Sequence, residues 1–446
     1  MDNPRKRGGG DGSSAAGTTP RSKPATTATA REVESEWAGL TLEQFRAEVP
    51  RDPDDARFIF SFPAPASPSS ALHTPQEAEE AEALVAFFDK FGFVVVRDVL
   101  TPQEAQATVN EIFGLLEEGT EGRFDRHDVS TWDQWPAEGM AKHGMPSRPP
   151  LFTPQILRNR QNPRLVSPFA LLFGSEDIMI SHDRASLFRP TKGVQFPTGA
   201  RDMPHWRTSE NLHLDMDVWG YLGSGDKERR TLAGLQYGDR HLNHFIFENN
   251  QVCERIHPLN VQAVLNLVDN VEADGGFQCV PGFRHHFNRW AEANAGKRDL
   301  VEMAKERNSM MFPDDDPIQK FGMRITMRAG SMVIWDQRTP HGARPNKSGR
   351  MRCAQFLRMF PAQPMDPKRA QARVHTVDAK VRAAGFAPEL TDLGRRVFGL
   401  SAGGGGRTGG GGGGGRRGSP ARVAVPRPGG GARGGGGWQR GGGRAG

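Results

Sequence analysis

The chain has 446 residues, 36% of them hydrophobic, and a formal net charge of +6. The positive excess belongs to the ends: residues 1–31 carry six basic and two acidic side chains and residues 399–446 carry eight arginines and no acid, leaving −6 for the stretch between them. No apolar run approaches the roughly 20 residues that span a bilayer, and the start of the chain lacks the apolar core of a secretory signal, so no membrane span is expected and the protein is predicted to be intracellular and cytoplasmic.

Cys253, Cys279 and Cys353 lie far apart without CxxC spacing, which predicts free thiols rather than a disulfide frame. Residues 1–34 are mostly Pro, Gly, Ser, Thr and Ala and 401–446 are mostly glycine with scattered arginine. Neither stretch has apolar surface to offset the entropy of ordering, so both are expected to be disordered tails. Pro4-Arg5-Lys6-Arg7 has the composition of a nuclear signal.

Between the tails, residues 35–76 read as a short helical lead-in, with Thr41 as a cap for a helix within 34–49. Residues 77–365 read as one folded domain and 366–400 as a C-terminal helix. The domain opens with a helix from 76 ended by Gly92, a strand over 93–99, and a helix over 101–119 with Thr101 as cap and Pro102 at its first position. Residues 120–165 have little periodicity and read as a long loop or lid. A helix over 164–174 precedes a strand-like 177–190. Short strand-like runs then follow at 211–222, 243–248, 261–270, 277–282, 323–330, 331–336 and 351–360, and strands of this length between turn residues argue for a sandwich or barrel.

The segment 211-NLHLDMDVWGYL-222 places His213, Asp215 and Asp217 at alternate positions, on one face if it is a strand. A His and a carboxylate there, joined by a second His, would make the two-His-one-carboxylate set that holds a non-haem iron by one face. The alternative is a hydrogen-bonded pair in a β-sandwich. His341, delivered by 331-SMVIWDQRTPHGARPN-346, is the best second His. His241 and His244 sit near a loop, His285 and His286 follow a Pro-Gly turn, and His73 and His375 lie at the margins.

The opening FFDKFGFVVVRDVLTPQEA, the HLD motif, DNVEADGGFQCVPGFRHHF and the distal GSMVIWD…PHGARPN…R together resemble the phytanoyl-CoA dioxygenase family over roughly 80–360. The resemblance implies a mainly β protein with a double-stranded β-helix (jelly roll, cupin-like) core and flanking helices. It implies an Fe(II)- and 2-oxoglutarate-dependent dioxygenase that hydroxylates an organic small molecule or acyl thioester with O2, releasing succinate and CO2, with ascorbate as a possible reductant. His213, Asp215 and His341 become catalytic metal ligands and Arg352 the grip on the distal carboxylate of 2-oxoglutarate, since a guanidinium holds a carboxylate bidentately. Arg350 is the competitor on the same strand face. Asp217 is expected beside the ligands or solvated, while Arg184, Arg189 and Lys192 fall in a segment where the family has cosubstrate or substrate contacts. Two departures stand out: Ala343 replaces a small hydroxyl residue, and Pro281-Gly282-Phe283-Arg284 replaces a Pro-Gly-Ser-His turn. The alternative function is a non-catalytic β-helix protein that binds RNA or protein partners through the Arg-Gly tail.

Overall fold

The computed structural model describes residues 37, 39–66, 74–135, 141–146, 150–223, 261–307, 309–362 and 367–400. The expectations for the two tails, for His73, and for 224–260 with His241, His244, Cys253 and the strand at 243–248 lie outside the described residues. The chain divides into a unit of residues 1–401 and a second of residues 402–446. All the helices and strands described below belong to the first unit.

Local signals act as the sequence requires at the start. Thr41, Thr74 and Thr101 each close a reciprocal capping box, on helices Leu42–Glu48, Pro75–Phe91 and Pro102–Gly119. Each cap is worth about 1 kcal/mol. Gly92 ends the second helix at φ 76°, a conformation that costs a side chain but not glycine.

The first sheet has six strands in the order β1 (Phe62–Pro63), β2 (Phe93–Arg97), β12 (Met332–Asp336), β8 (Val261–Asn266), β14 (Arg352–Leu357) and β4 (Ala185–Phe188), numbered along the chain. The second has five, β10 (Met310–Met311), β7 (His213–Leu214), β13 (His341–Arg344), β9 (Gly276–Cys279) and β11 (Met323–Arg324). Two short pairs complete the strands: β3 (Ile178–Ile180) with β15 (Met359–Pro361), and β5 (Val194–Phe196) with β6 (Gly199–Arg201). Within the two large sheets every pairing except β1 with β2 is antiparallel.

The period of two in β2 shows how the layers stack. Val94 and Val96 join a cluster with Leu84, Phe88 and Ile112 of the helices, while Phe93 and Val95 join one with Phe277, Cys279 and Met323 of the second sheet. Helices therefore cover one face of the first sheet and the second sheet covers the other. From β7 onward the chain passes back and forth between the two sheets. Cys279 and Cys353 are buried free thiols, as expected.

Several expectations need correction. Helices occupy much of the described chain and neither large sheet closes on itself, so "mainly β" describes the two-sheet core alone. The 120–165 segment holds a helix, Pro154–Arg160, announced by the Thr153-Pro154 start signal that its polar surroundings hid. The run 177–190 is two strands, not one. Helices Phe287–Asn294 and Arg298–Arg307, not anticipated, cover the outer face of β7 through Phe287, Ala291 and Ala304. The strand expected over 211–222 is hydrogen-bonded in register only at His213–Leu214, and Val218–Gly223 is helical. The alternation nevertheless persists in burial: Leu212, Leu214, Met216 and Val218 all face that outer cluster.

The Pro281-Gly282-Phe283-Arg284 departure is a packing device. Gly282 sits at φ 73° with its α-carbon against the Phe45 ring, Phe283 is buried, and Arg284 reaches Asp89 at 3.2 Å. Gly282→Ala combines a left-handed backbone penalty with overpacking of Phe45 and should cost about 2–4 kcal/mol. A urea unfolding midpoint equal to the parent's would contradict this.

Candidate metal centre

The two imidazoles meet because of strand register. His213 on β7 lies directly opposite His341 on β13, and their ring centroids are 4.4 Å apart. Asp215, two residues past His213 and so on the same face, brings Oδ1 to 3.5 Å from His213 Nε2 and Oδ2 to 3.6 Å from His341 Nε2. One donor atom from each of the three lies within 4.8 Å of the other two.

Outside the hydrogen-bonded ladder, Asp215 needs other restraints. Gln262 of β8 donates Nε2–H to Asp215 Oδ2 at 2.8 Å, and Gln337 donates to the Asp215 carbonyl at 2.6 Å. His341 is fixed by its Nδ1, 3.0 Å from the Thr339 carbonyl; that contact places the proton on Nδ1 and leaves Nε2 as the lone-pair donor. Trp335 and Phe277 wall its ring, with centroids 4.9 and 6.4 Å away.

Burial, reinforced by the neighbouring His341, pushes the His213 imidazole down to about 4. Burial alone would raise the Asp215 carboxyl, but the two imidazoles and Gln262 outweigh it and hold the group well below the usual carboxylate range. At neutral pH the pair is therefore a neutral imidazole and a carboxylate, the forms that ligate a cation. Two imidazoles and one carboxylate suit a divalent iron and leave the remaining positions open.

Arg352 enters from the first sheet. It is 2% exposed, and its Nη1 donates to Ser186 Oγ at 2.7 Å. Its Nε is buried without a partner, and among the described residues no carboxylate pairs with it. Burial lowers the guanidinium to about 10, which keeps it charged at neutral pH. A buried cation lacking a counter-ion is what an incoming carboxylate would satisfy. Arg350, by contrast, is already engaged: it pairs with buried Asp274 through Nη2 and through Nε at 3.2 Å.

The other sequence candidates have structural roles. Asp217, partly exposed, accepts the Gly220 N–H at Oδ1 at 2.9 Å and caps Val218–Gly223. His285 Nε2 bonds the carbonyls of Asp89 and Lys90, and His286 Nε2 that of Leu40. Arg184 pairs with Asp183 at 2.9 Å, Lys192 lies 3.8 Å from Asp202, and Arg189 is held between the Trp135 and Trp206 rings at 4.8 Å from each. At Ala343 the backbone N–H donates to the side chain of Asn211, the cross-strand neighbour, so a carboxamide stands beside the missing hydroxyl.

Sequence reasoning missed Gln262 and Gln337. The available signal for Gln262 was a polar residue inside the apolar run 261-VQAVLNL-267. Gln262→Leu should lower metal affinity about 10–100-fold, the usual loss when an outer partner of a ligand goes. Competition with a fluorescent chelator would detect it, and parent-like affinity would remove Gln262 from the site.

The phytanoyl-CoA dioxygenase (PhyH) family model matches residues 239–354. A Dictyostelium discoideum protein that carries the family's name is 38% identical over 294 residues, 65% of this chain and 78% of that protein. "Ava biosynthesis cluster protein O" of Aspergillus versicolor is 20% identical over 280 residues, 61% of this chain and 76% of its own. Among solved structures, the epimerase SnoN in complex with Fe3+, alpha ketoglutarate and nogalamycin RO is 17% identical, covers 64% of this chain and 85% of SnoN, and has a TM-score of 0.38.

Proposed function

The chain belongs to the phytanoyl-CoA dioxygenase family and is a non-haem Fe(II)- and 2-oxoglutarate-dependent oxygenase; on that premise we propose that it hydroxylates a C–H bond of an organic small molecule or acyl thioester, releasing succinate and CO2. His213, Asp215 and His341 would hold the iron and Arg352 the distal carboxylate of 2-oxoglutarate. The convergence of the three donor atoms within 4.8 Å carries the proposal. The two facing sheets, between which the chain passes back and forth, suit the double-stranded β-helix expected of such enzymes.

Bound iron would activate O2 against 2-oxoglutarate, so that one oxygen atom leaves in succinate and the other enters the product. The protein's part is positional. Gln262 and Gln337 keep Asp215 at the metal face, Thr339 holds the His341 tautomer, and Arg352 supplies a fork of donors at the other end of the cosubstrate. Trp335 and Phe277, 4.4 Å apart, make the wall beside His341 apolar and keep water from it.

The carboxylate ligand bears on the outcome. Relatives that halogenate have a small residue where the carboxylate would be, which frees a metal position for halide. This chain retains Asp215, so the product should gain one oxygen atom even in high chloride. Mass spectrometry of product formed under labelled oxygen gas tests this: a single labelled oxygen is expected, and a chlorine isotope pattern would overturn both hydroxylation and the role given to Asp215.

A further inference from the structure

The Arg352 guanidinium packs against Gly276 and Phe188, and Phe188 in turn against Gly144. On one side lies Gly276 of β9, at φ 97°, where an added Cβ would stand 2.6 Å from Arg352 Nε. Against the guanidinium also lies the ring of Phe188, the cross-strand partner of Arg352, with the guanidinium carbon 4.8 Å from the ring centroid. Gly144, at φ 77°, in turn meets the edge of that ring, where an added Cβ would clash with the Phe188 Cδ1 and Cε1 carbons. Gly144 is held to the same strand, since its carbonyl accepts the Leu187 N–H at 2.8 Å. The segment also touches the metal side: Lys142 O accepts the Ser209 N–H at 2.8 Å and His143 Nδ1 lies 3.3 Å from Asn211 Nδ2.

We propose that the segment 141–146 is part of the cosubstrate site and that Gly144 is a positioning residue, setting the plane of the Arg352 guanidinium through the Phe188 ring. This rests on the assignment of Arg352 to the 2-oxoglutarate carboxylate. A bidentate grip needs two N–H bonds in one fixed plane, and a planar cation packed against a ring and bare backbone is restrained in that plane. A side chain at 144 displaces the ring, the guanidinium loses its floor, and the second hydrogen bond to the carboxylate is misaligned. Nothing in the sequence near Gly144 marks it, because its partner is 44 residues away and the contact is side-on.

Anaerobic calorimetric titration of 2-oxoglutarate into the Fe(II)-loaded full chain tests the proposal. Gly144→Ala should raise the dissociation constant roughly tenfold or more, the loss of one charge-assisted hydrogen bond. Its Fe(II) affinity should stay within about twofold of the parent. Gly174→Ala is the backbone control, since Gly174 has φ 60° and nothing within 4 Å of an added Cβ; it should leave both constants unchanged. Phe188→Leu should weaken 2-oxoglutarate, and adding Gly144→Ala to it should cost no more than about twofold further, as expected if the glycine acts through the ring.

Parent-like 2-oxoglutarate affinity in Gly144→Ala, an equal loss in Gly174→Ala, or full additivity with Phe188→Leu would overturn the role of Gly144. Should Gly144→Ala fail to fold, Phe188→Leu decides: unchanged 2-oxoglutarate binding in that variant refutes positioning through the ring. Arg352→Lys belongs in the same series. If it weakens binding while Gly144→Ala does not, the positioning role falls and the cosubstrate assignment stands; if Arg352→Lys has no effect, the assignment falls and the proposal with it.

Discussion

In the His341→Ala chain, Fe(II) affinity should fall by more than about 100-fold, exceeding the loss expected from removing an outer partner, and His213→Ala should do the same. Each replacement removes one of three protein donors whose remaining pair cannot cover a face of the metal. The reason for expecting such similar effects is geometric: the two rings are cross-strand neighbours at 4.4 Å, and Asp215 contacts both. The variants should differ in stability. His341 is 4% exposed and packed against Trp335, so its truncation opens a gap in the wall, whereas His213 is half-buried. Far-UV circular dichroism and thermal unfolding separate that cost from the loss of metal. Full iron uptake by both folded variants would show that these three residues are a hydrogen-bonded polar cluster and not a metal site.

Arg352→Lys should raise the 2-oxoglutarate dissociation constant by about 10–150-fold while leaving iron affinity near that of the parent. Hydrogen bonds to charged groups contribute about 1.5–3 kcal/mol each, and a lysine offers a point charge where a fork is needed. The buried lysine would also lack the second edge that lets Arg352 donate to Ser186 while presenting other N–H groups. Arg350→Lys is the matched control. Arg350 is committed to Asp274, whose carboxylate also accepts from Ser348 at 2.7 Å, so its replacement should disturb the turn and hardly change cosubstrate binding. An equal or larger effect at Arg350 would mean that the wrong arginine has been assigned.

What the sequence determined by itself was set by short-range physics or by motifs compact enough to read along one strand. The three threonine capping boxes, the glycine that ends Pro75–Phe91 and the two-faced strand β2 depend on neighbours within a few residues. His213 and Asp215 were legible because alternation places them on one face whether or not a ladder forms. His341 and Arg352 were legible as pieces of a family motif, in the right order along the chain.

The tertiary structure decided whatever depends on a partner distant in sequence. A ladder ends where its neighbouring strand ends, so β7 stops at Leu214, and three residues later Asp217 caps a helix whose Trp219 bonds the Ala291 carbonyl. Neither fact is written in the alternation of 211–222. What distinguishes Arg350 from Arg352 is Asp274, which the fold and not the spacing along the strand brings beside Arg350. Gln262, Phe188 and Gly144 gained their places from sheet stacking and cross-strand register, which no local window contains. Close packing makes such contacts specific, because a guanidinium packed against a glycine and a ring leaves no room for a side chain at the glycine.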